Sequence, residues 1–218
     1  MSLKKSGLAL AVLIFPLGAL KAAPKDAAKG SPAKAAVIAS DVYKVDPKAS
    51  SLKWTGKKVT GEHHGSVQIK EGQLNVVNGA VTTGKFVIDS TSIVDEDLTD
   101  PSYNAKLVGH LKSPDFFSAD KYPTATFDIT KVEPLANGAN GATHTVSGTL
   151  TIKDISKPLS FPAKISVSPT AVTADAKGVA VDRTQYDIKY GSGKFFQGLG
   201  DKVISDQFWL DISLVANK

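Results

Sequence analysis

The chain has 218 residues, 42% of them hydrophobic, with no cysteine and a formal net charge of +5. That length carries one large domain, and without cysteine its stability has to come from core burial and not from disulfides. The charge excludes a nucleic-acid binder, because Lys4, Lys5, Lys21, Lys25, Lys29 and Lys34 face only Asp26 and Asp41 over residues 1–42, leaving residues 43–218 nearly neutral.

Residues 1–23 read as a signal peptide: Lys4 and Lys5 form a basic start, Gly7 to Leu20 is apolar, and Ala22 or Ala23 offers a small residue for cleavage, with Lys21 an imperfection there. The apolar run is shorter than the roughly 20 residues of a membrane span, so the mature form is expected to carry no transmembrane span. The expected address is periplasmic or secreted. Residues 24–42, rich in Ala, Lys, Pro and Ser without a sustained period, read as a disordered tether, and the folded domain is expected over 43–218.

Tyr43 to Asp46 and Leu52 to Thr60 read as an opening strand with an irregularity at Pro47 to Ser51. His63 to Lys70 and Gln73 to Val77 follow, with a turn or bulge expected at Glu71-Gly72. Asn78-Gly79 is a hairpin signal leading into Val81 to Thr91, where Gly84, Phe86 and Ile88 share a phase. The β pattern then breaks. Asp100 is a good N-cap, Pro101 suits the first helical position, and Tyr103, Leu107, His110 and Leu111 recur at helical spacing up to Pro114. In Asp115-Phe116-Phe117-Ser118 two adjacent large aromatics cannot both face a flat core by alternation, and such a pair more naturally plugs an opening.

Strand returns at Ala125 to Val132. The clearest pattern in the chain comes next: Val146, Gly148, Leu150 and Ile152, then Leu159, Phe161, Ala163, Ile165 and Val167, keep strict period two on both sides of one turn. This is a half-buried antiparallel hairpin. Val172 to Ala176, Val179 to Tyr190 and Ser205 to Ala216 complete about eight main strands. No amphipathic helix is long enough to cover the apolar face of such a sheet, so the sheet must cover itself, as a barrel or sandwich. Eight strands is also the number at which a barrel interior just holds one small ligand.

Particular residues narrow this further. Trp54-x-Gly56-x-Lys58-x-x-Gly61-x-His63-x-Gly65, His110-Leu111-Lys112-Ser113-x-Asp115-Phe116-Phe117, Lys121-Tyr122-Pro123-x-Ala125-Thr126-Phe127, Gly148-Thr149-Leu150-Thr151-Ile152 with Lys157-Pro158, and Asp182-Arg183-Thr184-x-Tyr186 together resemble the YceI-like, polyisoprenoid-binding family of bacterial proteins, over about residues 43–216. The resemblance implies an all-β, eight-stranded extended antiparallel barrel, similar to a lipocalin, with one short helix and a covering loop. It also implies a long isoprenoid or other lipid chain inside the barrel and no catalysis. Two departures are visible, Asp154 where Gly is expected and Asp187 where Gly or Asn is common, and both put local turn geometry in question.

The competing chemistries are weak. His63 and His64 are adjacent and would point to opposite faces of a strand, and His110 has no second ligand at one-turn spacing, so no metal site is expected. The acidic run Asp95 to Asp100 fails the EF-hand template, lacking Gly at the sixth position and having Lys106 at the twelfth. Gly191-Ser192-Gly193-Lys194 is followed by Phe195 where a phosphate-binding loop needs Ser or Thr, and no Ser, His and acid fall together for nucleophilic catalysis. No catalytic residue and no cofactor are assigned.

From pattern alone, the aromatic residues fit a solid core as well as a lined tunnel; the resemblance favours the tunnel. Its walls are then expected to be Trp54, Phe86, Ile88, Phe127, Leu150, Ile152, Phe161 and Ile165, with Leu111, Phe116 and Phe117 covering an end. Tyr122, Tyr186, Phe195 and Phe196 are further candidate ligand contacts, and His63 and His110 candidate head-group contacts. The expected function is an exported binding or carrier protein that sequesters a long-chain amphiphile, whether polyisoprenoid, isoprenoid quinone or similar lipid. The alternatives are a solid-cored envelope protein used for protein contacts and a lipid-modifying enzyme, and a homodimer is left open.

Overall fold

The computed structural model describes residues 40–218. The signal peptide read over residues 1–23, and the tether up to residue 39, lie outside the described residues. The first strand, β1 (Asp41–Val45), begins just ahead of the expected domain start. It is followed by β2 (Ser51–Lys58), β3 (Gly61–Val77), β4 (Ala80–Asp95), helix α1 (Pro101–Lys112), β5 (Thr124–Pro134), β6 (His144–Ile152), β7 (Ile155–Val167), β8 (Ala171–Asp182) and β9 (Ile204–Asn217).

Each strand from β2 to β9 pairs antiparallel with its neighbours in chain order, and β2 pairs back to β9, so the sheet closes on itself. Because β1 and β2 both lie between β3 and β9, they form one stave interrupted at residues 46–50, and the barrel has eight staves. Pro47 cannot donate to a ladder, and Asp46 Oδ1 takes the N–H groups of Lys48 and Ala49 at 2.9 and 3.2 Å, which turns the chain out of the sheet there. Closure is what the apolar pattern required, although the seam between β7 and β8 is short: residues 164–167 pair with 172–175, and the earlier part of β7 has no ladder on that side.

The long β3 and β4 curl through bulges, one of them at the expected Glu71-Gly72 position, where the register shifts between Ile69 and Glu71. The hairpin between them turns on Asn78 and Gly79, both left-handed (φ 51° and 76°). The turn after β6 puts Lys153 and Asp154 in the same left-handed region (φ 52° and 59°), so Asp154 does stand where glycine would be unstrained. Gly65 is required for another reason. A Cβ there would run into the Val94 carbonyl and the Trp54 indole, whose Nε1–H donates to that carbonyl at 3.1 Å.

Two expectations are corrected. The strand expected over Val179 to Tyr190 ends at Asp182, whose Oδ1 accepts from the N–H (2.9 Å) and hydroxyl (2.6 Å) of Thr184 and starts a 3₁₀ turn over Arg183–Tyr186. Asp187 closes that turn in a left-handed conformation (φ 56°), and the break expected before Val179 is a bulge within the continuous β8. The helix begins as expected, with Asp100 Oδ1 accepting from Ser102 and Tyr103 N–H. Its apolar stripe is only half-buried, however: Leu107, His110 and Leu111 are partly covered, no residue of α1 is fully buried, and Tyr103 is 63% exposed.

Candidate functional site

The alternation that shaped the strands also builds an interior. Two chambers lie within the barrel, of about 110 Å³ and about 140 Å³. Leu52, Ile88, Leu150 and Leu210, from β2, β4, β6 and β9, line both, so the chambers meet along a shared neck. The first is walled by side chains such as Phe86, Phe127, Phe161, Ile165 and Ala174, with the Phe127 and Phe161 rings 5.6 Å apart. The second lies under Trp54, Ile152, Leu111, Phe116, Phe117 and Phe208.

The cover over the second chamber is an aromatic assembly. Phe117 meets Phe208 edge-on at 6.1 Å, and Phe116, His110 and Tyr190 form a cluster with ring separations of 4.6 to 5.7 Å. Both members of the adjacent pair Phe116-Phe117 line the second chamber from the irregular segment that follows α1. Backbone bonds hold the segment against α1: Phe117 N–H donates to Leu111 O at 3.0 Å and Ala119 N–H to Lys112 O at 2.9 Å.

Polar groups enter the lining chiefly at the second chamber, where Lys57, Ser90, Arg183, Ser205 and Gln207 stand. Arg183 is the unusual one, at only 4% exposure. Its guanidinium donates to the carbonyls of Ser205 (2.8 Å), Ile188 (2.9 Å) and Ile204 (3.1 Å), and its centre lies 5.9 Å from the Phe116 ring. It thus ties the 3₁₀ turn and the start of β9 together beneath the cover. Burial lowers its pKa, against the opposing pull of Asp206 and Asp182.

The structure brings Trp54, Phe86, Ile88, Leu111, Phe116, Phe117, Phe127, Leu150, Ile152, Phe161 and Ile165 around the two chambers. Tyr122, Tyr186, Phe195 and Phe196 line neither. Tyr186 is buried in the packed core, where burial and then the charge of Asp182 push its hydroxyl up to about 12. Phe195 and Phe196 are 44% and 49% exposed. The histidines are also outside the lining: His63 Nδ1 pairs with Asp97 Oδ2 at 2.9 Å and His110 Nε2 with Asp115 Oδ2 at 3.0 Å. Leu52, Phe208 and Leu210 also line the chambers; period two places them on the interior face, but an interior position alone does not separate a lining side chain from a packed one. No sequence signal marked Arg183 as buried.

The comparisons with known proteins agree with this architecture. The family model of the YceI-like domain matches residues 43–216. A UPF0312 protein of Vibrio campbellii is 34% identical over 112 residues, covering 46% of this chain and 57% of its own, so the match spans little more than half of that relative. Among solved structures, Burkholderia cenocepacia BcnA is similar with a TM-score of 0.58 at 23% identity, over 79% of this chain and 99% of its own. A polyisoprenoid binding domain from Saccharophagus degradans, implicated in plant cell wall breakdown, is similar with a TM-score of 0.55 at 17% identity, over 80% and 97%. At these identities the two structures share the fold.

Proposed function

Because this chain belongs to the YceI-like family, we propose that its barrel sequesters a long-chain amphiphile of the polyisoprenoid or quinone type, as a binding or carrier protein and not as an enzyme. The observation that carries this is the pair of apolar chambers meeting at a shared neck and covered at one end by Leu111, Phe116 and Phe117. The polyisoprenoid-binding neighbour supports the same ligand class.

The mechanism is burial. At roughly 0.8 kcal/mol per CH₂ removed from water, each five-carbon isoprene unit contributes about 4 kcal/mol gross, before the cost of ordering the chain. Each chamber is close to the ~150 Å³ of an apolar cavity known to accept a benzene-sized guest, so a chain occupies both by passing the neck. The walls of both chambers are almost wholly apolar, so the head group is left outside them while the apolar chain is buried. Export to the periplasm or beyond, with cleavage near Ala22 or Ala23, is part of the same proposal.

The test is organic-solvent extraction of the full chain, purified without detergent from its native host, followed by mass spectrometry. A stoichiometric prenyl lipid, quinone or comparable long-chain lipid is the expected result. Protein that is empty on extraction and takes up no long-chain lipid afterwards has a solid core, and the proposal is then wrong.

A further inference from the structure

Outside the lumen, one cluster of side chains has unmet chemistry. It lies at the root of the cover, where the end of β4 leaves the barrel wall toward α1. One ring nitrogen of His63, from β3, and one carboxylate oxygen each from Asp95 and Asp97 all lie within 4.8 Å of one another. His63 and His64 are expected to point to opposite faces, yet both rings approach Asp97, His63 Nδ1 at 2.9 Å from Oδ2 and His64 Nδ1 at 3.9 Å from Oδ1; only His63 is also close to Asp95. Asp97 and Asp95 were not paired with it because thirty residues of hairpin separate them; the register of β3 against β4, with Gly65 opposite Asp95, brings them together.

Two features set this cluster apart from an ordinary acidic surface. The first is the state of Asp95, which is 7% exposed. Its Oδ1 accepts from Leu98 N–H at 2.9 Å and from the Asn104 amide at 3.1 Å, but its Oδ2 is buried with no hydrogen-bond partner among the described residues. A buried carboxylate oxygen without a partner is costly, and an ion is one of the few things that resolves it. The only other such atom, Asp206 Oδ1, has the Arg183 guanidinium 3.9 Å away, whereas Asp95 has no lysine or arginine pairing with it among the described residues.

The second feature is the orientation of the partners. The carboxyl groups of Asp95 and Asp97 lie within hydrogen-bonding reach of each other. Asp97 Oδ1 is held by the His64 backbone N–H at 2.8 Å, which leaves Oδ2 facing His63 Nδ1 at 2.9 Å. An imidazole nitrogen and two carboxylate oxygens thus lie within 4.8 Å of one another, partly open to solvent on the His63 and Asp97 side. Two donors on a tetrahedral zinc ion, each about 2.1 Å from the metal, sit about 3.4 Å apart. The present spacings bracket that value, so small side-chain shifts close the site.

The geometry points to a divalent-cation site of the zinc class formed by His63 Nδ1, Asp95 Oδ2 and Asp97 Oδ2, with the remaining position open to water. Imidazole together with carboxylate favours zinc over calcium or magnesium, which prefer all-oxygen sites. The cation would tie the β3 wall to the segment that carries α1, because Asn104 of α1 also bonds Asp95 O and Leu98 O, at 3.1 and 3.2 Å. The inference is independent of what the lumen holds.

The test uses the full chain without an affinity tag, stripped with chelator and titrated with zinc by calorimetry at pH 7. The expected result is one zinc per chain and a raised melting temperature. His63→Gln and Asp97→Asn should each weaken zinc binding by about tenfold or more, while His144→Gln, on the distant β6, leaves it unchanged. Should Asp97→Asn fail to fold, His63→Gln carries the test, since that side chain is partly exposed. No zinc uptake, or uptake that His63→Gln leaves unchanged, overturns the site; so does calcium binding that survives His63→Gln.

Discussion

Whether the lumen is a ligand chamber or merely a loosely packed core can be decided by filling it. Ala174 on β8 lines the first chamber, with Leu214 and Ile165 opposite it on the two neighbouring staves. Ala174→Leu adds three carbons to a space of about 110 Å³. At about 24 cal/mol per Å³ the empty chamber costs the ligand-free barrel about 2.6 kcal/mol. Three carbons placed there recover at most ~2.4 kcal/mol of burial, less about 0.5–1 kcal/mol for ordering a leucine, so a net stabilisation of about 1–2 kcal/mol is expected. In a solid core the same change would overpack and cost about 1–3 kcal/mol. Urea unfolding of the delipidated variant gives the sign, provided the slope with denaturant is unchanged. Uptake of a fluorescent polyene fatty acid gives the second readout, and it should weaken at least tenfold, because the end of the chain loses its chamber. A destabilised variant that takes up the probe as wild type does would refute the two-chamber account.

The cover can be tested by contrast: Phe116→Ala with Phe117→Ala should speed loss of bound lipid by tenfold or more in a gel-filtration retention assay, whereas Phe195→Ala with Phe196→Ala should leave it unchanged, since that pair lines neither chamber. Asp154→Gly should raise stability by about 0.5–1 kcal/mol in urea unfolding, because a left-handed L-residue at φ 59° is replaced by one without strain; no gain would mean the Asp side chain compensates locally. Burial alone would raise the Asp182 carboxyl, but the hydroxyl and N–H of Thr184 hold it below the usual carboxylate range. Its folded-state pKa being depressed, its contribution is complete above the unfolded carboxylate value and is lost as pH falls through the folded one. Asp182→Asn should therefore cost about 1 kcal/mol at pH 7, and the wild-type advantage should shrink as the pH is lowered below about 4; an advantage that stays constant down to pH 2 would rule this linkage out.

What the sequence revealed and what it hid divide along a physical line. Period-two alternation reports which face of a strand is apolar, and in β6 and β7 it placed Leu150, Ile152, Phe161 and Ile165 correctly on the interior. The turn residues were equally legible, because Asn78-Gly79 and Asp100-Pro101 act through their own backbone. Alternation cannot distinguish an interior that is filled from one that is hollow, since a wall residue and a core residue leave the same pattern; that distinction rests on the curl of the staves, set by bulges such as the one at Ile69/Glu71. Arg183 and the His63–Asp95–Asp97 cluster were hidden for a related reason. Their environments are made by residues from other strands, and only the register, which no local pattern contains, brings those residues together.

The same division bears on how a ligand enters. Parting most pairs of staves breaks a long row of hydrogen bonds at once, β7 and β8 being the exception, paired only over residues 164–167 and 172–175. The cover is held differently: α1 buries no residue fully and is attached through a few polar ties, Asn104 to Asp95 and Leu98, and through the His110, Phe116 and Tyr190 rings. Elements with little buried apolar surface open at the lowest free energy, so the proposed function predicts entry at the α1 end or at the short β7–β8 seam, where the fewest contacts have to break. The His63–Asp95–Asp97 cluster stands where the cover and the staves join, at the point where one added tie changes the ease of opening without touching the wall that holds the chain.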